Sequence, residues 1–250
     1  MKPKTDKEIE SIRKSGSILA AVFEAVRPAI KAGVQTADIA DMVKAEIEQR
    51  NGTPVLLGYQ GFPNVVCISV NDQVVHGIPG DTVLNDGDLV SLDLCVEYEG
   101  MITDSAFTVV VGESGASSAR IRRLLAATEQ ALYEGIDQVK HGVRIGDISN
   151  AIQRRLLRDN LGVIESLVGH GVGHEVHEEP EVPNFGIAGT GPTLKSGMTI
   201  AIEPMATTGG KAVYLEDDGW TITTRDRSLS AHFEHTVLVT DDGYEVLTEQ

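Results

Sequence analysis

Apolar residues recur at helical spacing over residues 6–31, where Ile9, Ile12, Gly16, Leu19, Phe23 and Val26 fall on one stripe. Thr5 or Asp6 offers an N-cap with Glu8 close behind. Gly16 is a weak point in that pattern, because glycine is a poor helix former. The periodicity returns over 37–50 with Ile39, Met42, Val43 and Ile47, and Asn51-Gly52 ends it. Further helical stretches are predicted at about 117–139 and 146–160. Alternation of apolar and polar positions takes over at 65–70 and 89–111, which are rich in β-formers and predict strands. Strand-like runs follow at 199–205, 212–215 and 233–239.

This order of elements contains a repeat. Lys31-Ala-Gly33-Val34 followed by Asp38-Ile39 recurs as Lys140-His-Gly142-Val143 followed by Asp147-Ile148, and Asn51 matches Asn160 at the same offset. Farther on, Leu84, Gly87, Val90, Leu92 and Asp93 recur as Leu194, Gly197, Ile200, Ile202 and Glu203 at nearly that offset. The period is far longer than that of a stacked solenoid. It predicts one domain over 1–250 made of two similar α/β halves, roughly 6–112 and 117–245, related by a pseudo-two-fold axis. An acidic residue, Asp93 or Glu203, ends the same strand in each half, and such an axis brings those two ends together.

Composition changes the picture in two ways. Hydrophobic residues make up 41% of the 250 positions but aromatic ones only 4%, so aliphatic side chains must fill the core. Lys and Arg number 21 against 37 Asp and Glu, a net charge of −16. That surface repels nucleic-acid phosphate and anionic lipid, and direct binding to either is not expected. The two cysteines, Cys67 and Cys95, are too few for a disulfide framework and are read as buried free thiols of a reducing compartment. The charged N-terminus lacks the apolar stretch of a secretory signal, and no apolar run is long enough to span a bilayer, so a cytoplasmic protein is expected.

The acidic residues are also informative by position. The segment 89–112 predicts a hairpin turning near Tyr98-Glu99-Gly100. Turning at Tyr98-Glu99 sets Asp93 opposite Asp104; turning at Glu99-Gly100 makes them diagonal neighbours. Either way both point to one face, because strand side chains alternate. Two aspartates so placed repel each other, and a divalent cation is the simplest compensation. Glu203 follows the apolar run Thr199–Ile202, and Glu234 lies in another strand-like run. His170 and His174 have the i, i+4 spacing of a helical zinc site, but Gly171 and Gly173 argue against a helix there. The segment 169–180 is read instead as extended, presenting His170 and His177 on separate sides. Four carboxylates (Asp93, Asp104, Glu203, Glu234) and His170 suit two divalent cations, with room for a bridging hydroxide. Such pairs sit roughly 3.5–4 Å apart and lower the pKa of bound water toward ~7. An oxygen-rich set with one imidazole accommodates Mn, Fe, Co or Zn.

Taken together, these pieces closely resemble one family. Asn71 with His76-Gly-Ile-Pro79, Asp86-Gly-Asp-Leu-Val-Ser-Leu-Asp93, Thr103-Asp104-Ser105, Gly169-His170-Gly171, His177-Glu-Glu-Pro180, Ile202-Glu203-Pro204 and Ser228 through Glu234-His-Thr236 are similar to the motifs of type I methionine aminopeptidases of the bacterial short form. The resemblance covers essentially the whole chain. It implies an α+β pita-bread fold, with two pseudo-symmetric halves around a curved antiparallel sheet. It also implies removal of N-terminal methionine from nascent polypeptides with a small second residue. In that scheme Asp93, Asp104 and Glu234 hold one metal, His170 and Glu203 hold the other, and Asp104 and Glu234 bridge. His76 and His177 contact the substrate, Glu203 takes and passes on the proton, and the bridging water attacks the first peptide carbonyl. The free N-terminal amine binds a metal, so that one residue is removed.

The family's apolar methionine pocket maps onto Tyr59, Phe62, Cys67 and Trp220, and aromatic rings suit a thioether. Leu56, Gln60, Phe62 and Val176 depart from Cys, His, Tyr and Phe, which often stand there in the family, so the departures concern pocket shape and not the metal set. The resemblance further implies a monomer that visits the ribosome transiently. The charge of −16 argues against a broad basic docking face, though clusters occur at Arg120, Arg122 and Arg123 and at Arg154, Arg155 and Arg158. Two other readings are a proline-type aminopeptidase or prolidase, which usually carries an extra N-terminal domain that a repeat beginning near residue 6 leaves no room for, and a metal-free binding protein, which would have lost ligands that are kept here.

Overall fold

A computed structural model describes residues 2–115 and 118–249. The chain opens with helices α1 (Asp6–Val26) and α2 (Thr36–Gln49), followed by strands β1 (Thr53–Pro54), β2 (Cys67–Val70), β3 (Gln73–Val75), β4 (Leu89–Tyr98) and β5 (Met101–Val110). Two more helices come next, α3 (Ala119–Ile136) and α4 (Ile145–Arg158). Ten strands complete the order: β6 (Gly162–Val163), β7 (Val168–Gly171), β8 (Glu178–Pro183), β9 (Thr199–Ile202), β10 (Met205–Thr207), β11 (Val213–Leu215), β12 (Ile222–Thr224), β13 (Ser230–His232), β14 (His235–Val239) and β15 (Tyr244–Val246). The architecture is α+β with antiparallel pairing throughout the sheets. Among the described residues no helix is long and apolar enough to cross a membrane.

Local chemistry sets the helix ends. Thr5 caps α1, and Glu8 returns the bond to the Thr5 backbone in a capping box. The helix stops at Val26, short of the predicted residue 31. Pro28 has no N–H to donate and cannot continue an α-helix, so Arg27–Ala29 tighten into a 3₁₀ turn. The start of α3 departs slightly from expectation too: it begins at Ala119, and residue 117 lies outside the described residues. The repeated motif has a bonding basis. Asp38 accepts from the backbone N–H of Gln35 at the start of α2, and Asp147 accepts from that of Arg144 at the start of α4. Gly33 donates to the Leu84 carbonyl as Gly142 does to that of Leu194, and Leu84 and Leu194 donate back to Val34 and Val143. Asn51 and Asn160 both take a left-handed conformation just past their helices.

The hairpin β4–β5 turns at Glu99-Gly100, both at positive φ as a tight two-residue turn requires. The register is therefore the diagonal one: Asp93 faces Ala106 and Asp104 faces Cys95. Alternation along β4 sends Val90, Leu92, Leu94 and Val96 into the main core under the helices, and Cys95 into a smaller cluster on the other face. That main core joins all four helices to the sheets and is aliphatic, apart from Phe23, Phe107 and Phe233. The run predicted at 199–205 is broken after Ile202, because Pro204 cannot donate to a ladder.

A four-stranded sheet (β1, β4, β2, with β5 on β4) and a five-stranded sheet (β15, β14, β9, β7, β8) meet along β5 and β14. Ala106 and Glu234 exchange backbone hydrogen bonds, and Ser105 Oγ donates to the Glu234 carbonyl at 2.6 Å. Thr236 Oγ1 donates to the Asp104 carbonyl at 2.7 Å and accepts from the Asp104 N–H at 2.9 Å. These bonds fix Asp104 and Glu234 side by side.

A candidate metal centre

On the sheet face away from the helices lies a cavity of about 300 Å³, and every residue assigned a site role from the sequence lines it. Asp93, Asp104, His170, Glu203 and Glu234 form its floor; His76 and His177 stand above them; Tyr59, Phe62, Cys67 and Trp220 form a wall. Asp104, His170 and Glu234 each offer a ligand atom within 4.8 Å of the others, and all three are buried. His170 Nε2 lies 3.5 Å from Glu203 Oε1 and 3.9 Å from Asp104 Oδ2. The His170 Nδ1–H donates to the Gly171 carbonyl at 2.9 Å, which leaves the Nε2 lone pair facing the acids, the tautomer a metal ligand needs.

The electrostatics of this floor call for a cation. Burial and the charges of neighbouring carboxylates push Asp93, Glu203 and Glu234 well above the usual carboxylate range, and burial lifts Asp104 to about 6. Burial holds His170 down at about 4, so the imidazole stays neutral and cannot neutralise the acids. Asp104 Oδ1 and Glu234 Oε1 are buried without a hydrogen-bond partner. Buried carboxylate oxygens left bare in this way, beside a neutral imidazole with its lone pair inward, fit divalent cations.

One sequence expectation needs correction. His170 and His177 are not on separate sides: their ring centroids are 4.3 Å apart. The segment is a hairpin in which Gly171 pairs with Glu178, so residues 172–177 loop out and bring His177 back over His170. The Tyr59 hydroxyl lies 2.8 Å from His177 Nδ1 and so touches the histidine as well as the cavity wall. His76 holds a left-handed backbone at φ 59, a strained conformation typical of functional positions. Phe62 and Trp220 meet edge to face at 5.2 Å, and Asp218 accepts from the Trp220 N–H to fix the turn that presents the indole. The departures Leu56, Gln60 and Val176 all line the cavity. Cys67 and Cys95 are free and buried, as expected.

Two residues escaped the sequence reading. Cys95 lines the cavity because it alternates with Asp93 on β4. His232 is buried, with neither ring nitrogen hydrogen-bonded, and its Nε2 sits 3.7 Å from Glu203 Oε2 and 3.8 Å from Glu234 Oε2. The signal for both was period-2 parity with a neighbouring acid, Asp93 in one case and Glu234 in the other.

Comparison with known proteins places this geometry. The model of metallopeptidase family M24 matches residues 10–241. Methionine aminopeptidase 1 of Bacillus subtilis is 40% identical over 245 residues, covering 98% of each chain. The methionine aminopeptidase of Aquifex aeolicus is 42% identical over 254 residues, covering 98% of this chain and 97% of the relative. The crystal structure of methionine aminopeptidase from Thermotoga maritima matches with a TM-score of 0.97 at 41% identity, covering 100% of both chains. Prolidase from Pyrococcus furiosus shares the fold, with a TM-score of 0.78 at 22% identity, but this chain spans only 65% of it. The α+β architecture is thus the pita-bread fold, and the chain belongs to metallopeptidase family M24.

Proposed function

We propose that the protein is a metal-dependent aminopeptidase that removes the N-terminal methionine from polypeptides whose second residue is small. The observation that carries this reading is the convergence of Asp104, His170 and Glu234 within 4.8 Å at the base of a cavity with aromatic and thiol walls. Full-length similarity to methionine aminopeptidases supports the choice of substrate. Asp93, Asp104 and Glu234 would hold one divalent cation and His170 and Glu203 a second, with Asp104 and Glu234 shared. Such ions supply an activated water at neutral pH and polarise the scissile carbonyl.

The chain's own groups do the rest. Glu203 accepts a proton and passes it to the leaving amine. His76 and His177 donate hydrogen bonds to the oxygen of the tetrahedral intermediate. Phe62, Cys67 and Trp220 enclose the thioether, with Tyr59 at the same wall. The halves 6–112 and 117–245, related by a pseudo-two-fold, would place Asp93 and Glu203 at matching positions, although Asp93 lies within β4, which runs on to Tyr98, whereas Glu203 follows the end of β9. The protein acts as a cytoplasmic monomer on nascent chains, in transient contact with the ribosome.

The test is hydrolysis of a Met-Ala-x peptide with Mn, Fe, Co or Zn added in turn to chelator-treated protein. Release of free methionine that depends on added metal is expected. Metal-loaded, folded protein that leaves this peptide intact and cleaves an x-Pro dipeptide would be a prolidase. Folded protein that neither binds metal nor cleaves either peptide would be a metal-free binding protein.

A further inference from the structure

We propose that Lys4 is a positioning residue for His177, and that the segment ahead of α1 is a strap setting the substrate-side loop of the site. The proposal rests on the reading in which His177 contacts the peptide.

Lys4 lies far from the cavity in sequence and is absent from its lining. Its side chain is nevertheless fully buried, and its Nζ reaches the Glu178 carboxylate at 3.1 and 3.3 Å. Glu178 is the residue after His177 and pairs with Gly171, closing the loop 172–177. Its Oε1 also accepts from the backbone N–H of His174 at 2.6 Å and of Glu175 at 3.2 Å. One carboxylate therefore gathers the loop backbone, and one lysine neutralises that carboxylate.

The loop is shaped around the lysine stem. A Cβ on Gly173 would lie 2.3 Å from Lys4 Cε, and the φ of 149° there suits glycine. The Gly173 carbonyl accepts from Ile102 at 2.7 Å, which ties the same turn to β5 two residues from Asp104. At its other end the strap is anchored where the Lys4 N–H donates to the Gly197 carbonyl at 2.8 Å. A second link, Glu8 to His174 Nε2 at 2.7 Å, is more exposed and adds little.

A buried ammonium is costly unless paired, and removing one partner strands the other. The strap thus transmits to His177 through a single peptide bond. The histidine ring is otherwise held by the His170 ring and the Tyr59 hydroxyl. Loss of Lys4 would free the loop while leaving the metal-facing side chains on their strands.

The experiment compares full-length wild type with Lys4→Met, which keeps the stem and removes the charge. The expected result is faster exchange of the His174 and Glu175 amides, and a fall of about 10- to 100-fold in kcat/KM for a Met-Ala-x peptide. Metal affinity by calorimetry should change less than about twofold. Should Lys4→Met fail to fold, Glu178→Gln, which keeps the volume, is read in the same way. Wild-type exchange at both amides overturns the strap. Faster exchange with unchanged kcat/KM overturns the link to His177, as does a drop in Tm with neither loop exchange nor kinetics altered. The exchange arm stands even if the wild-type protein cleaves a different peptide, so failure of the proposed substrate is distinguishable from failure of the strap.

Discussion

Asp104 sits where the demands of the site conflict most. Its carboxylate is buried beside three other acids, its backbone is stapled to Thr236, and one oxygen has no hydrogen-bond partner. Without a cation, the charge of Asp104 works against folding; with one, it is what binds. Asp104→Asn should therefore leave the metal-free melting temperature unchanged or raised, shrink the rise on adding metal, and abolish methionine release. An undiminished rate would sink the two-metal assignment. His232 invites a companion test. Its Nε2 faces Glu203 at 3.7 Å and Glu234 at 3.8 Å, close to both carboxylates but outside hydrogen-bonding range. Leucine fills similar space but sets hydrocarbon against both carboxylates in place of a polar ring, so His232→Leu should weaken metal binding in calorimetric titration. His232→Gln, which keeps a polar group, should recover most of it.

At the scale of elements, Gly16 shows how a local weakness serves packing. It lowers the propensity of α1, yet a Cβ there would lie 2.1 Å from the Leu247 carbonyl oxygen. The helix rests directly on the C-terminal backbone. Gly16→Ala, favourable in an isolated helix, should destabilise this protein by about 1–3 kcal/mol through overpacking, measurable by denaturant unfolding. The strap carries a pH dependence. Burial raises the pKa of Glu178, but the bonds from Lys4 and from the backbone of Glu175 and His174 outweigh it and hold the group below its usual value. The folded loop thus binds fewer protons than the unfolded one. Its stabilisation is complete above the ordinary glutamate pKa of about 4.3 and is lost as pH falls through the lower folded value. Protection of the His174 and Glu175 amides, normalised to intrinsic exchange, should decline over that acidic window and not at neutral pH.

For the whole molecule, the floor of the cavity joins two sheets. β4 and β5 supply Asp93 and Asp104, β7 supplies His170, and Glu203 and Glu234 flank β9 and β14. A cation there binds the folded chain and not the unfolded one. Metal at 100 times its Kd should add about 2.7 kcal/mol of stability, and a chelator should remove it. For a chain of this length that is a shift of roughly 5–10 °C in melting temperature. A chelator-insensitive Tm would contradict a metal centre at this junction.

Much of this was legible in the sequence because it depends on local periodicity. Alternation put Asp93 and Asp104 on one face, Thr5 began α1 as its cap, and the repeated Leu-x-x-Gly and Gly-Val segments marked positions with matching hydrogen bonds. The aliphatic core followed from composition. What depends on where distant segments come to rest was not legible. Register at Glu99-Gly100 rather than Tyr98-Glu99 was decided by two left-handed residues that only the closed hairpin selects. The return of His177 onto His170 required pairing of Gly171 with Glu178. The contact of Lys4 with that loop spans most of the chain, and the approach of His232 to Glu203 depends on β13 pairing with β10, which sets His232 opposite Met205. By itself the sequence determined which side chains share a face of a strand, since that is set by the pleat of the backbone. Only the tertiary structure decided which faces meet, since that is set by long-range packing and by hydrogen bonds such as those of Thr236 to Asp104.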